Sequence, residues 1–233
     1  MLGQGLVAQF DEATYSDAIG FARVGEGSIG GKARGLAFMN SMLAKYNQYF
    51  KYPNVRIMIP RSLVIATDYF DEFIRINGLK YVIGRELDDE GVLSEFLNSE
   101  LPSDLHSKLK VFVATCTKPL AIRSSSKLED SHYQPFAGIY STYMIPVTEN
   151  KDQMLRMLGK AIKSVYASVF YSSSRTYIHT TANLLSEEKM AVVVQSICGS
   201  QHGGFYYPML SGVARSVNYY PIESEKPEDG IVN

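Results

Sequence analysis

The chain has 233 residues and a formal net charge of −1, with 45% apolar and 20% charged side chains. That balance describes a globular protein with a sizeable core rather than a disordered one, and leaves no overall field for nucleic acid or an anionic membrane. No apolar run reaches the roughly 20 residues of a spanning helix, the N-terminus lacks a basic region ahead of an apolar one, and Cys116 and Cys198 sit in apolar contexts without metal-ligand spacing, which predicts a cytoplasmic chain with buried free thiols.

Residues 1–15 read as an irregular lead-in and 16–23 as a short helix capped by Ser16. Gly25-Glu-Gly-Ser-Ile-Gly-Gly-Lys follows, with four glycines in seven residues. Such density implies positive φ or a close backbone approach. Leu36, Met39, Leu43 and Tyr46 then recur at helical steps and predict an amphipathic helix over 32–49. A glycine loop feeding a helix N-terminus is a ready anion site, and Lys32 adds a full charge beside it. The Walker pattern fails, because Glu26 stands where its first glycine belongs and Ala33 where Ser or Thr should be. The dinucleotide pattern is met by Gly25, Gly27 and Gly30, but no clear strand precedes it. A flexible hinge with a solvated lysine explains the same residues.

Residues 55–59 and 63–66 read as strands around Pro60, followed by a helix capped by Thr67 that stops at Asn77-Gly78. Residues 88–97 and 103–113 predict two more helices, broken at Pro102. His106 lies on the second without a partner at metal spacing and reads as a surface residue.

The densest chemistry runs from 119 to 143. An apolar run, Leu120-Ala-Ile, opens into Arg123-Ser-Ser-Ser, then Glu129-Asp-Ser, then Pro135-Phe-Ala-Gly. A guanidinium fork at a strand end beside hydroxyls and backbone N–H groups suits phosphate oxygens, and the stretch reads as a phosphate-handling loop between two strands. A surface hairpin whose Arg123 pairs with Glu129 or Asp130 accounts for the same residues.

The three blocks Arg-Ser-Ser, Glu-Asp-Ser and Phe-Ala-Gly resemble the N-terminal ATP-binding domain of the phosphoenolpyruvate synthase and pyruvate phosphate dikinase family, and the earlier Gly30-Gly31-Lys32 block resembles it too. The resemblance implies an ATP-grasp-type α+β fold that uses ATP and Mg2+. Lys32 and Arg123 would face the polyphosphate as the catalytic cations. Gly30, Gly31, Ser124 and Ser125 would line the nucleotide, and Lys127, Glu129 and Asp130 would set the position of the loop. The partners implied are a carrier-histidine domain and a pyruvate-binding domain of the same longer chain. The carrier histidine belongs to that separate domain, so His132 and His179 are not taken as phosphoryl carriers. No metal ligand falls inside the sequence, since the acidic magnesium ligand is expected beyond Asn233.

Residues 148–170 form the longest helical pattern, buried through Met154, Leu155, Leu158, Ile162, Val165 and Val169 and interrupted at 172–174. Arg175 follows, where the family has a basic residue. Residues 190–197 read as a buried strand ending in Gln195. A glutamine there often satisfies a local backbone group; by resemblance it lies at the hinge beside the adenine. Residues 199–208 read as a loop, 211–218 as a strand start of synthase-like form, and 226–233 offer no closing element.

The expected organisation is a first lobe over 1–145, then a long helix, hinge strand and the start of a second lobe over 146–233, incomplete at the C-terminus. The acceptor stays open, since dikinase-type enzymes acting on other acceptors share such a domain. A non-catalytic nucleotide sensor, with 205–207 and Tyr219-Tyr220 as its docking surface, is the other reading.

Overall fold

The computed structural model describes residues 7–16, 18–46, 52–83, 87–126, 140–180 and 188–233. Its contacts divide it into two compact units, Met1–Ile197 and Cys198–Asn233. The strand that follows residue 188 lies inside the sheet of the first unit.

The first unit is built on a six-stranded mixed sheet: β1 (Ala8–Gln9), β2 (Phe21–Val24), β3 (Ser62–Ile65), β4 (Leu120–Ser126), β5 (Thr142–Ile145) and β6 (Met190–Ser196), in spatial order β1-β2-β3-β6-β4-β5. β1, β2 and β3 run parallel, and β6 is inserted antiparallel between β3 and β4. Among the described residues six α-helices accompany the sheet: α1 (Gly30–Lys45), α2 (Thr67–Ile76), α3 (Asp89–Asn98), α4 (Ser103–Ala114), α5 (Lys151–Ala167) and α6 (Ser172–Thr180). One sheet face, through Leu63, Ile65, Leu120, Ile122, Val192 and Val194, joins a core filled by Phe73, Phe96, Phe112, Met154 and Tyr166. The other face, through Phe21, Val64 and Val193, carries Ala33 and Ala37 of α1 as its buried cover.

Local chemistry explains the helices that match expectation. The Asp88 carboxylate accepts from the Gly91 N–H at 2.8 Å to start α3, and the Asn150 side chain accepts from the Gln153 N–H at 3.0 Å to start α5. Gly78 takes φ 62° just beyond α2. The predicted buried face of α5 and the buried strand ending in Gln195 are both found.

Other expectations are corrected. The lead-in contains β1, with Phe10 buried, and the predicted 16–23 helix is replaced by β2, whose four residues pair with β1 and β3. Residues 55–59 are not a strand; Val55 makes one isolated bridge to Tyr52, while Ile57 and Met58 are exposed. Residues 172–174 begin α6 rather than interrupt a helix, after an extended Tyr171. In α1 the buried residues are Gly30, Gly31, Ala33 and Ala37, and Met39 is 47% exposed. Small residues let α1 lie close on the sheet, so the face in contact is not the one with the larger side chains.

The second unit contains the hairpin β7 (Ser200–His202) and β8 (Phe205–Tyr207), where a loop was expected, and a pair β9 (Ala214–Arg215) and β10 (Ile231–Val232) that gives 226–233 a strand after all. Asn218 is buried in a turn, donating to Glu225 at 3.1 Å and accepting from the Tyr220 N–H at 3.0 Å. No helix among the described residues is long and apolar enough to cross a membrane.

Candidate functional site

The glycine stretch leaves β2 directly at Val24, so a strand does precede it. It is not an open loop, because α2 holds it. The Glu26 N–H donates to Asp68 at 2.9 Å, the Ser28 N–H donates to the Thr67 hydroxyl at 3.0 Å, and the Thr67 N–H donates back to the Ser28 carbonyl at 2.9 Å. Thr67 is therefore the first residue of α2 and a fastener for the loop, with Ala66 at the cap position. Gly27 is needed for this approach, since a Cβ there would lie 2.6 Å from the Asp68 nitrogen.

At the other end of the loop α1 is clamped to β4. The Ser125 hydroxyl donates to the Ile29 carbonyl at 2.8 Å and accepts from the Ala33 N–H at 3.1 Å. Gly30, at φ 72°, lies so near the Ser125 carbonyl that a Cβ would overlap it. The Gly30 N–H donates to the Ser28 hydroxyl at 3.2 Å, so serine hydroxyls already hold two donors of the first turn.

Lys32, in the first turn of α1, points its ammonium at the Ser124 hydroxyl, 3.2 Å away. Arg123, next to Ser124 in β4, is half-buried between Thr142 of β5 and Val193 of β6. Strand alternation puts Arg123 and Ser125 on the sheet face that α1 covers. Arg123 is thus inside a strand rather than at its end, and Ser124, Ser125 and Ser126 continue the strand as fully buried residues instead of forming a loop. Among the described residues the Arg123 side chain has no hydrogen-bond or ion-pair partner. Lys127, Glu129, Asp130 and His132 lie outside the described residues.

Gln195 shares this face, paired across β6 with Ser62 and Ala121 and diagonal to Arg123. Its Nε2 donates to the Ser62 hydroxyl at 3.0 Å, and that hydroxyl donates to the Pro60 carbonyl at 2.8 Å. Gly30, Gly31, Lys32, Arg123, Ser124 and Ser125 are therefore brought together, with Gln195 further along the same face. Arg175 is elsewhere, donating to the Leu87 carbonyl at 2.6 Å. Sequence reasoning missed Asp68, which holds Glu26 through one oxygen while its Oδ1 is buried without a partner among the described residues. Its position in the first turn after β3 was the available signal. It also missed Arg34, whose Nε donates to the Gly30 carbonyl at 3.1 Å.

The arrangement brings two cations and a helix N-terminus together beside the sheet face that α1 covers, the chemistry that receives a polyanion. For a metal the described residues fit poorly: they include no group of three or more His, Cys, Asp or Glu that could hold one.

Residues 26–232 match the profile of the pyruvate phosphate dikinase AMP/ATP-binding domain. An uncharacterized phosphotransferase, YvkC, of Bacillus subtilis is 28% identical over 164 residues, 70% of this chain and 19% of that protein. The phosphoenolpyruvate synthase of Aeropyrum pernix is 24% identical over 226 residues, 88% of this chain and 24% of that enzyme. The chain thus spans about a fifth to a quarter of the length of these relatives.

Proposed function

We propose, from the premise that this chain belongs to the pyruvate phosphate dikinase AMP/ATP-binding domain family, that it is the nucleotide-binding part of a phosphoenolpyruvate synthase-like phosphotransferase. The observation that carries the reading is the Lys32 ammonium on the Ser124 hydroxyl beside Arg123, with the α1 N-terminus clamped to the same strand by Ser125.

Bound ATP would supply the phosphoryl group, which passes to a carrier histidine on another domain and then to pyruvate. Phosphoryl transfer of this kind asks a protein mainly for positioning and for neutralising negative charge. Lys32 and Arg123 would do the second. Gly30 and Gly31 would let backbone approach the phosphates, and Ser124 would keep the Lys32 ammonium in place. Ser125, enclosed and fully hydrogen-bonded, would act by fixing α1 against β4. Gln195 would serve the adenine end. Its Nε2 is held by Ser62, which leaves Oε1 as the acceptor for an exocyclic amine. Mg2+ is expected with the nucleotide; the described residues include no group of three or more His, Cys, Asp or Glu that could hold it. We infer an ATP-grasp-type clasp in which the six-stranded unit is the polyphosphate side.

The acceptor could differ, because one relative is named only as a phosphotransferase. The nucleotide-sensor reading finds support in Phe205, Tyr219 and Tyr220, which are 72% to 87% exposed. The test is turnover by the full-length protein carrying Lys32→Ala or Arg123→Ala. Each should lose at least about 2.7 kcal/mol of transition-state stabilisation, about a hundredfold in rate. Near-wild-type turnover of both variants would overturn the assignment.

A further inference from the structure

Away from the glycine loop, α5 and the turn joining α3 to α4 enclose a groove of about 570 Å³, a volume typical of small-molecule sites. Leu101, Leu155 and Gly159 give it an apolar floor. Arg156, Lys160 and Lys163 line one wall at steps of four and three along α5, so they share a helix face. Glu100 is the one carboxylate among the lining residues, and His106 and Ser107 of α4 form the opposite wall.

Among the described residues neither Arg156 nor Lys160 has an ion-pair or side-chain hydrogen-bond partner, and the His106 ring has none either. Lys163 closes the inner end, its ammonium donating to the Leu97 and Ser99 carbonyls at 2.6 and 3.0 Å. Burial, and secondarily Lys160, hold its pKa below the ordinary lysine value, with Glu100 acting in the opposite direction.

Gly159 adds a separate argument. Glycine inside a 17-residue helix lowers its stability relative to alanine, and packing does not require it here. A Cβ would stand 3.5 Å from Leu101 Cδ1, an ordinary contact. What the absent side chain provides is depth in the groove.

We propose that this groove binds a small phosphorylated organic molecule, with its apolar body over Leu101, Leu155 and Gly159 and its phosphate held by Arg156, Lys160 and His106. α5 packs on the sheet face opposite α1, so the site is distinct from the one around Lys32 and Arg123.

The test is a titration of phenyl phosphate into the isotope-labelled chain, followed by amide NMR. Shifts should centre on residues 99–107 and 155–163, with inorganic phosphate binding at least about tenfold more weakly because it lacks the apolar body. The Arg156→Ala/Lys160→Ala double variant, both positions being exposed, should weaken binding at least about tenfold with an unchanged melting temperature. Gly159→Leu should fill the floor and abolish binding. Shifts confined to the surroundings of Lys32 and Arg123, no shift up to about 10 mM probe, or full affinity in the double variant would overturn the proposal. So would a short polyglutamate peptide that shifts these residues when phenyl phosphate does not.

Discussion

Replacing Gly30 by alanine tests the contact on which the geometry of the candidate site depends. The residue sits at φ 72°, and an added Cβ would overlap the Ser125 carbonyl oxygen. Holding a residue with a Cβ at positive φ costs about 1–2 kcal/mol. Making room in a packed contact costs about 1–3 kcal/mol more. The variant should therefore lose about 2–5 kcal/mol, or relax by lifting the start of α1 off β4. That relaxation would break the Ala33 N–H bond to Ser125 and carry Lys32 away from Ser124. Gly35 is the matched control: it lies inside the same helix with nothing within 4 Å of where a Cβ would stand, so Gly35→Ala should stabilise by up to about 1 kcal/mol. With a urea m-value of about 3 kcal/mol/M, the Gly30 variant's midpoint should fall by about 1 M while the Gly35 variant's rises slightly. Calorimetry should show weaker ATP binding for the first variant alone. Equal midpoints and equal ATP affinities in the two variants would refute the close α1–β4 contact as the organiser of the site.

Phe96 is fully buried between Phe73 and Phe170, at ring separations of 5.7 and 5.5 Å, so Phe96→Ala should cost about 3–5 kcal/mol in urea unfolding; a loss under about 1 kcal/mol would contradict the packing. Burial pushes the Cys116 thiol up from 9.0 to about 11, whereas Cys198, also expected to be buried, is exposed just beyond the end of β6. A thiol reagent at neutral pH should modify Cys198 at once and Cys116 only on unfolding, and two fast thiols would be inconsistent with the structure. Because the unfolded chain releases the Cys116 proton first, this residue's contribution to stability should be complete below pH 9.0 and decline as pH rises towards about 11, a slope that Cys116→Ala removes.

Elements whose causes are local could be read from the sequence. Asp88 announces a helix start, Gly78 announces a stop, and the spacing of Met154, Leu158, Ile162 and Val165 defines the buried face of α5, because caps and helical periodicity act within a few residues. The run from Met190 to Ser196 was legible for a similar reason, being apolar on both faces. The blocks around Lys32 and Arg123 also stood out in the sequence, and the family match rests on the same stretch of chain. What required the tertiary structure was every relation set by distant pairing. Phe21–Val24 has too few residues to declare a strand and becomes one only between β1 and β3. The face of α1 that is buried carries glycine and alanine, since closeness to β4 selects small residues while periodicity weighs large ones. Ser125 could not be told apart from its serine neighbours until the strand alternation and the approach of Ile29 and Ala33 turned its hydroxyl into a clamp. Thr67 and Asp68 look like ordinary helix-start residues, and only the return of β3 beside β2 brings them against the glycine loop. Strand register and side-chain partners separated by dozens of residues depend on contacts that a local pattern does not contain, so the composition of the site was written in the chain but its assembly was decided by the sheet.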